Sequence, residues 1–396
     1  MSWPVVKLGE MVTIKGGGTP SKKIEEYWNG NIPWASVKDL KSSEISRTVD
    51  SITELGISNS ATNLIPAGTI LTATRMALGK FAINTVDMAI NQDLKALFVN
   101  DTTKIDRDFL MRFLESKAQY IDAEGKGATV KGVTLDFLRG LEIPLPPLTE
   151  QKRIAAILDK ADAIRRKRQQ AIQLADDFLR AVFLDMFGDP VINPKGWKVQ
   201  PIACGIASIT SGWSAKGESY PCKSNEYGVL KISSVTSGKF KPQENKFIHN
   251  EDIPEGKKLV FPKKGELLFS RANTRELVAA TCIVPSDHNN IFLPDKLWNV
   301  RTNKELLPEF VNYLIWQPRF KETLTSQATG TSGSMLNISK GKFEATDSIF
   351  PPLELQKRFK SIYWKVQELI TRLDESLDEC GNTFNSLSQK AFAGEL

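Results

Sequence analysis

Two stretches of the chain share an uncommon order of residues: IPLPPLTEQKRIAAIL (residues 143–158) and IFPPLELQKRFKSIY (residues 349–363). Each reads Pro-Pro-Leu, two further residues, Gln-Lys-Arg and then an apolar run with helical spacing. The two glutamines, Gln151 and Gln356, are 205 residues apart. Proline suits the first turn of a helix, where its missing N–H has no intrahelical partner. The repeat therefore predicts a duplicated unit that closes with a long helix in both copies.

Other landmarks recur in the same order and support the duplication. The segment GTILTATRMALGKFAI from Gly68 resembles GELLFSRANTRELVAA from Gly265, and we pair Arg75 with Arg271, an offset of 196. The segment DFLMRFLES, which begins at residue 108, resembles EFVNYLIWQ, which begins at residue 309. The offsets drift by a few residues, as loop insertions would produce. Two copies indicate a tandem duplication and not a solenoid.

The part of each copy that precedes the helix is rich in short strand-like runs. Examples are TILTAT, KALFVN, GELLFS and KLWNV, which alternate with turn residues and helical patches. This pattern predicts a mixed fold of the α/β (α+β) class. We assign residues 1–147 and 189–351 to two similar domains, and residues 148–188 and 352–396 to two long helices.

The apolar residues of both helices recur at an average spacing of 3.5 residues, the period of a coiled coil. The stripe of the first helix comprises Ile157, Ala161, Ile164, Arg168, Ala171, Ala175, Phe178 and Val182. The stripe of the second comprises Leu355, Phe359, Ile362, Val366, Leu369, Leu373, Leu377, Cys380, Phe384, Leu387 and Ala391. We expect the two helices to bury these stripes against each other; the alternative is that each helix packs on its own domain.

The composition limits the possible classes of protein. The chain has 396 residues, 41% of them hydrophobic, and a net charge of +6, which permits a polyanionic partner without requiring one. Four widely spaced cysteines and two histidines predict neither a disulfide framework nor a histidine-rich metal site. We find neither an apolar run long enough to span a membrane nor a signal peptide, so we expect a cytoplasmic protein.

Motifs for catalysis are incomplete in this sequence. The stretch KGGGTPSKK (residues 15–23) looks like a phosphate loop, but GxxxxGK[ST] fails in every register, which leaves a flexible loop or a contact to a nucleic-acid backbone. Adenine methylation would need Asn or Asp before a Pro-Pro pair, where Leu145 and Phe350 stand. Pro294-Asp295-Lys296 is only a fragment of a nuclease pattern. We therefore expect no enzyme; the alternative is a stand-alone DNA methyltransferase or nuclease.

Taken together, the loop GGGTPSKKIEEYWNGNIPW, the segment Gly-x-x-Leu-x-x-x-Arg and the repeated helix start resemble the specificity (S) subunit of type I restriction–modification systems. The resemblance spans the whole chain. The second copy departs from it, because Leu355 and Phe359 stand where the first has Glu150 and Ile154, and ITSGWSAKG replaces the Gly-Gly-Thr-Pro loop.

The resemblance implies two target recognition domains that each read one half of a bipartite double-stranded DNA sequence. It also implies an antiparallel coiled coil that spaces them with pseudo-twofold symmetry. Two modification subunits would carry S-adenosylmethionine and methylate adenine N6, and two restriction subunits would use ATP and Mg²⁺. No cofactor is expected on this chain, and no membrane partner. The alternative in another class is a scaffold that does not meet DNA.

Base reading requires side chains with hydrogen-bonding forks or cations on loops. The candidate DNA-binding residues are Lys22, Lys23, Tyr27, Asn29, Arg75, Lys80, Lys216, Lys223, Arg271, Asn273 and Arg275. For the two arginines of the paired segments, the alternative role is a structural salt bridge. The candidate contacts to partner subunits or within the coiled coil are Gln151, Arg153, Ile157, Ile164, Phe178, Gln356, Arg358, Ile362, Leu369 and Phe384. The basic run 165–168 is either a solvated helix face or a contact to DNA or a modification subunit.

Overall fold

The structure of the protein, a computed structural model, describes residues 3–127, 130–330 and 335–396. The chain divides into two compact units. Unit 1 consists of Met1–Gln169 with Asp374–Leu396, and unit 2 consists of Gln170–Leu373. The border between the units falls inside both long helices. The division into two domains and two separate helices stays a prediction.

Unit 1 is a mixed α/β structure. Its strands are β1 (Val5–Lys7), β2 (Val12–Gly16), β3 (Trp28–Ala35), β4 (Glu44–Ile45), β5 (Asp50–Ile52), β6 (Leu64–Ile65), β7 (Ile70–Ala73), β8 (Phe81–Asn84), β9 (Met88–Ile90), β10 (Leu94–Val99) and β11 (Glu142–Pro144). Its helices are α1 (Leu8–Met11), α2 (Glu54–Ser58), α3 (Arg107–Ser116), α4 (Ala118–Ala123), α5 (Leu135–Arg139), the first part of α6 (Leu148–Phe187) and the last part of the second long helix, α10 (Leu353–Ala393).

The described strands of unit 1 form two larger sheets, with strand orders β2-β10-β7-β8-β4 and β5-β3-β9-β6, and a ribbon of β1 and β11. Strand β10 is antiparallel to both β2 and β7. The start of β10 therefore lies beside the ends of β2 and β7, and three loops meet there. The opposite end of β10 leads to α3, whose first turn is capped by the Asp106 side chain.

Unit 2 contains the same types of element. Its strands are β12 (Lys198–Pro201), β13 (Ile206–Ser211), β14 (Tyr227–Leu230), β15 (Asn245–Ile248), β16 (Leu267–Ser270), β17 (Ala272–Asn273), β18 (Thr281–Ile283), β19 (Ile291–Phe292), β20 (Leu297–Thr302), β21 (Leu336–Asn337) and β22 (Asp347–Phe350). Its helices are the last part of α6, α7 (Pro308–Trp316), α8 (Pro318–Ser326), α9 (Lys340–Glu344) and the first part of α10 (Leu353–Ala393).

The sheet of unit 2 repeats the order of unit 1, with β13-β20-β16-β18 in place of β2-β10-β7-β8. The register also matches: Leu97 lies opposite Ile70 in unit 1, and Val300 lies opposite Leu267 in unit 2. A parallel pair of strands recurs as well, β3 with β9 and β14 with β19. The mixed fold and the similarity of the two domains, both predicted from the sequence, are thereby confirmed.

Helices α6 and α10 are the two long helices that the repeated Pro-Pro-Leu segments predicted. Within unit 1, Arg153 of α6 donates a hydrogen bond to the Leu396 carbonyl, and the Arg165 guanidinium lies 5.3 Å from the Phe384 ring centre. The earlier residue of α6, Arg153, contacts the later residue 396, and the later residue Arg165 contacts the earlier residue Phe384. These segments of the two helices are therefore antiparallel. Neither α6 nor α10, nor any other helix in the described ranges, is apolar enough over a sufficient length to cross a membrane.

The buried side of each long helix departs from the predicted stripe at three positions. Ile164, Phe178 and Leu369 are 50%, 53% and 49% exposed. Beside two of them, Leu179 and Ile370 are buried in the core of unit 2. The strict 3.5-residue seam was therefore wrong at these positions. Each helix packs against its domain as well as against the other helix, so both packing alternatives hold within a unit and the buried face is wider than a seam.

Gln151 and Gln356 are fully buried and make equivalent hydrogen bonds. The Gln151 amide accepts from the backbone N–H of Asp106 at 2.8 Å and donates to the carbonyls of Lys104 at 2.8 Å and Pro146 at 2.9 Å. Gln356 accepts from the N–H of residue 307 and donates to the carbonyls of residues 305 and 351, each at 2.9 Å. In the structure, burial leaves these two glutamines no surface for a partner subunit. They join each helix start to its own domain.

Candidate nucleic-acid interface

In unit 1, four segments meet where β10 begins, and we call them loop edge 1: residues 17–21, 74–77, 91–95, and 126–133 without 128–129. The N–H of Gly18 donates to the Ile90 carbonyl at 3.0 Å, and the N–H of Thr74 donates to the Asp93 carbonyl at 2.9 Å. The N–H of Val133 donates to the Thr74 carbonyl at 3.0 Å. These backbone bonds hold the four segments together.

Unit 2 has the same arrangement where β20 begins, and we call it loop edge 2: residues 212–216, 271–274, 293–297, and 329–338 without 331–334. The N–H of Trp213 donates to the Leu293 carbonyl at 2.9 Å, and the N–H of Arg271 donates to the Lys296 carbonyl at 3.1 Å. The N–H of Ile338 donates to the Arg271 carbonyl at 2.8 Å. Each bond has its counterpart in loop edge 1, so the two edges share one backbone framework.

The glycine loops of the two edges are explained by close packing of the backbone. A Cβ added to Gly17 would lie 1.9 Å from the Ile90 carbonyl oxygen, and one added to Gly212 would lie 1.7 Å from that of Leu293. Only glycine permits this approach. GGGTP and SGWSA are therefore the same structural element despite their different sequences. The first loop is also fixed by Trp34, whose buried indole N–H donates to the Gly18 carbonyl at 3.0 Å.

The hydrogen bonds correct the internal alignment by one residue. Thr74, not Arg75, occupies the position equivalent to Arg271. The backbone N–H of Thr74 donates to the turn before β10, and the backbone N–H of Arg271 donates to the turn before β20. Arg75 is equivalent to Ala272, since the two form the matching bridges to Gly132 and to residue 337. The pairing at an offset of 196 was wrong, and the framework requires 197. Neighbouring residues of an extended segment point to opposite sides, so the two arginines do not share one role.

Arg75 and Arg271 also differ in their surroundings. Arg75 is exposed at loop edge 1. Arg271 is partly buried, and its Nε donates to the Asp295 carbonyl at 2.9 Å while Nη1 donates to the Asn337 side chain at 3.2 Å. Its Nη2 lies 3.5 Å from the Asp295 carboxylate. Arg271 therefore makes the structural salt bridge that the sequence left as an alternative, whereas Arg75 keeps an exposed guanidinium.

Loop edge 1 carries more cations than the sequence analysis selected. Lys126 and Lys131 are exposed on the segment that bridges to Arg75. Burial lowers the pKa of Lys95, and the nearby Arg75 charge lowers it further against the effect of Asp93. The signal for the two missed lysines was the basic, glycine-rich stretch GKGATVKGV (residues 125–133). Together these side chains form a basic surface suited to phosphates.

The remaining DNA-binding candidates are spread over both units. Lys22, Lys23, Asn29, Lys80, Lys216, Lys223 and Arg275 are exposed, and Tyr27 and Asn273 are partly buried. Lys22 and Lys23 follow the first glycine loop, and Lys216 ends the second. Lys80 instead lines a cleft with Arg165 and Arg166 of α6. Their contacts to DNA stay predictions.

The other partner-subunit candidates lie on the two long helices. Arg153 is paired with Glu150 at 2.7 Å, Arg358 is exposed, and Ile157, Ile362 and Phe384 are partly buried. In the basic run, Arg165 and Arg166 both pair with the buried Asp162 carboxylate, at 2.6 and 3.3 Å. The described residues contain no group of three or more His, Cys, Asp or Glu side chains placed to hold a metal ion.

In sequence, the chain is similar to specificity subunits of type I restriction enzymes. A family model described as type I restriction modification DNA specificity domain matches residues 1–174. The chain is 24% identical over 412 residues to the type I restriction enzyme MjaIX specificity subunit of Methanocaldococcus jannaschii, covering all of this chain and 93% of that protein. It is 36% identical over 164 residues to the EcoR124I/EcoR124II specificity subunit of Escherichia coli, covering 40% of each.

The fold is similar to those of solved structures. The type I S subunit from M. genitalium superposes with a TM-score of 0.58 at 14% identity, covering 98% of this chain and 96% of that one. A chain from a type I restriction–modification assembly gives a TM-score of 0.53 at 18% identity, covering 100% and 98%. Residues 1–174 thus match the model of a type I restriction modification DNA specificity domain, and the whole chain is similar in sequence to a type I restriction enzyme specificity subunit.

Proposed function

We propose that this chain is the non-catalytic DNA-reading subunit of a type I restriction–modification complex, in which each unit reads one half of a bipartite target. The chain would carry no cofactor and would act in the cytoplasm. Two modification subunits would bring S-adenosylmethionine and methylate adenine N6, and two restriction subunits would bring ATP and Mg²⁺.

The observation that carries this proposal is the pair of loop edges. They share three equivalent backbone hydrogen bonds, but the side chains on them differ. A duplicated framework suits two half-sites presented in the same manner, and different side chains suit two different half-site sequences. A scaffold that does not meet DNA would not require this combination.

The charge of loop edge 1 supports contact with a nucleic acid. Arg75, Lys126 and Lys131 are exposed there, and Lys95 lies beside Arg75. Cations that neutralise phosphates supply much of the affinity for DNA and make it dependent on salt. We therefore expect affinity to fall steeply as the salt concentration rises.

The long helices offer surfaces to partner subunits. Leu174 and Phe178 are exposed, four residues apart on the part of α6 in unit 2, and Leu369 is exposed on α10. Exposed apolar side chains grouped on a helix are typical of protein–protein contacts. They support assembly with modification subunits through the helices.

The test is modified-base sequencing of DNA from cells that express this chain with its modification subunit. We expect one bipartite motif with methylated adenines and no methylation when either protein is omitted. Methyl transfer by the purified chain alone would instead establish a stand-alone enzyme. Methylation whose sequence preference does not depend on this chain would refute the reading role.

A further inference from the structure

We propose that Gln92 and Asp295 are equivalent base-reading residues of the two units, and that the hydroxyls of Thr19 and Ser214 position them. This inference rests on the proposed function. Neither Gln92 nor Asp295 was among the DNA-binding candidates from the sequence, where Asp295 was only part of an incomplete nuclease pattern.

The two positions are equivalent in the backbone framework. Gln92 follows Asn91, whose carbonyl accepts from the N–H of Leu94 at 3.3 Å. Asp295 follows Pro294, whose carbonyl accepts from the N–H of Leu297 at 3.3 Å. Both residues thus stand in the same turn, two residues before β10 or β20 begins.

A hydroxyl of the neighbouring glycine loop holds each side chain. Thr19 donates from Oγ1 to Oε1 of Gln92, and Ser214 donates from Oγ to Oδ1 of Asp295. Thr19 and Ser214 occupy the same position, one residue after the N–H groups that bond to Ile90 and Leu293. Different side chains therefore make the same contact in both units. Such a contact fixes a reading side chain before DNA binds and lowers the entropy lost on binding.

Both side chains are accessible. Gln92 is exposed, and the Asp295 side chain is 45% exposed. They lie on loop edges whose other exposed groups include Arg75 and Lys216. A base edge can therefore reach them while nearby cations contact phosphates.

The chemistry of the two side chains predicts different bases. With one lone pair of Oε1 occupied by Thr19, Gln92 keeps its two N–H donors and a second lone pair, which match N7 and N6 of adenine. Asp295 presents only acceptors, which match the N4 amino group of cytosine. The half-site read by unit 1 should contain an adenine that depends on Gln92, and that read by unit 2 a cytosine that depends on Asp295.

Arg271 supports this assignment as a positioning residue. Its guanidinium lies against both the backbone carbonyl and the carboxylate of Asp295. A cation beside the carboxylate reduces the repulsion between Asp295 and the DNA phosphates. Unit 1 has Thr74 at this place, where Gln92 is neutral and needs no counter-charge.

The test uses the assembled complex of full-length chain and modification subunits, with a panel of duplexes that carry each of the four bases at every half-site position. Gln92→Glu should shift the preference at one position of one half-site from adenine to cytosine by at least about tenfold. Asp295→Asn should make the opposite change in the other half-site. Gln173→Glu, the same charge change on an exposed part of α6, should leave every preference as in the wild type.

A second pair of variants tests the positioning role. Thr19→Val should reduce discrimination at the Gln92 position alone, and Thr19→Ser should restore it. If Gln92→Glu and Asp295→Asn bind the panel with wild-type preferences, the inference is refuted although the proposed function stands. If the wild-type complex shows no preference in either half-site, the proposed function fails as well.

Discussion

The place where the long helices meet α3 in unit 1 and α7 in unit 2 is built from different chemistry. In unit 1 the nearly buried Arg112 pairs with Glu115 and Asp159, each at 2.7 Å, and with Asp162 at 3.3 Å. The framework defined by the two buried glutamines assigns four other residues to these positions in unit 2. They are Tyr313, Trp316, Trp364 and Gln367.

Unit 2 therefore replaces an ionic cluster with an aromatic one. Tyr313 lies 5.3 Å from Phe359 and 5.9 Å from Tyr363 between ring centres, and Trp364 donates to Glu309 at 2.7 Å. Buried ions are costly to remove from water and depend on complete pairing, whereas aromatic rings gain mainly from burial. The comparison teaches that the duplication preserves the backbone connections, while the side chains that fill the joint are free to differ.

The largest effect should come from Arg112→Ala. This change leaves Glu115 and Asp159 without their shared cation and should destabilise unit 1 by about 3–5 kcal/mol. Hydrogen exchange measured peptide by peptide would show the loss in unit 1 and little change in unit 2. Arg139→Ala, which removes an exposed ion pair with Asp136, is the matched control and should cost less than about 1 kcal/mol. Equal losses of stability in the two variants would contradict the claim that the ionic cluster around Arg112 stabilises unit 1.

Gln151→Ala and Gln356→Ala test what the units share. Each removes three hydrogen bonds to buried backbone groups and should destabilise its own unit by about 2–3 kcal/mol. Faster exchange of the amide of residue 106 in one variant, and of residue 307 in the other, would report the loss. Strong destabilisation of only one unit would show that the glutamines are not equivalent. The exposed Gln173→Ala serves as the control.

Arg75→Ala sharpens the difference between the loop edges. Because its guanidinium is exposed, its removal should weaken DNA binding of the assembled complex by about 1–2 kcal/mol and reduce the salt dependence. Arg271→Ala should instead disturb base preference through Asp295 and leave the salt dependence nearly unchanged. Gel-shift titrations at two salt concentrations distinguish these outcomes. Identical losses of affinity and of salt dependence would contradict the corrected alignment.

The smallest effect concerns pH. Burial raises the pKa of Glu115 against the opposing effect of Arg112. An acid with a raised pKa in the folded state contributes stability below its unfolded pKa, about 4.3, and loses it as the pH rises through the folded value. Unit 1 should lose this contribution above about pH 4.3, and Glu115→Gln should flatten the dependence. Unit 2, with Trp316 there, supplies the internal reference. If the stability of the Glu115→Gln variant depends on pH as in the wild type, Glu115 is not the source of this pH dependence.

The sequence predicted the fold because its signals are local. The Pro-Pro-Leu repeat, helical periodicity and short strands gave α6, α10 and two similar units. The exposed face of the helices was missed at Ile164, Phe178 and Leu369, because burial there depends on where α3 and α7 pack. The one-residue error at Arg75 arose because a strand register is fixed by hydrogen bonds between distant segments.

The candidate site was predicted less completely than the fold. The glycine loop was predicted to be a flexible loop or a contact to a nucleic-acid backbone. Its glycine is instead explained by packing, because Gly17 lies close to the Ile90 carbonyl. Gln92 carries no local signal at all, since its importance follows from the Thr19 hydroxyl 73 residues away in sequence. Residue type can suggest a cation for DNA, but it cannot identify a side chain that another loop holds in place.

The tight approach of Gly17 and Gly212 to a neighbouring carbonyl has a consequence for protein engineering. If each glycine is kept, the neighbouring loop residues can be randomised in a library of variants without a change in the path of the backbone. Replacing the turn before β10 with the turn before β20, or the reverse, should transfer the half-site preference of one unit to the other, since the backbone on both sides of the turn is equivalent in the two units. New DNA targets would then be obtained by recombining short segments instead of redesigning whole domains.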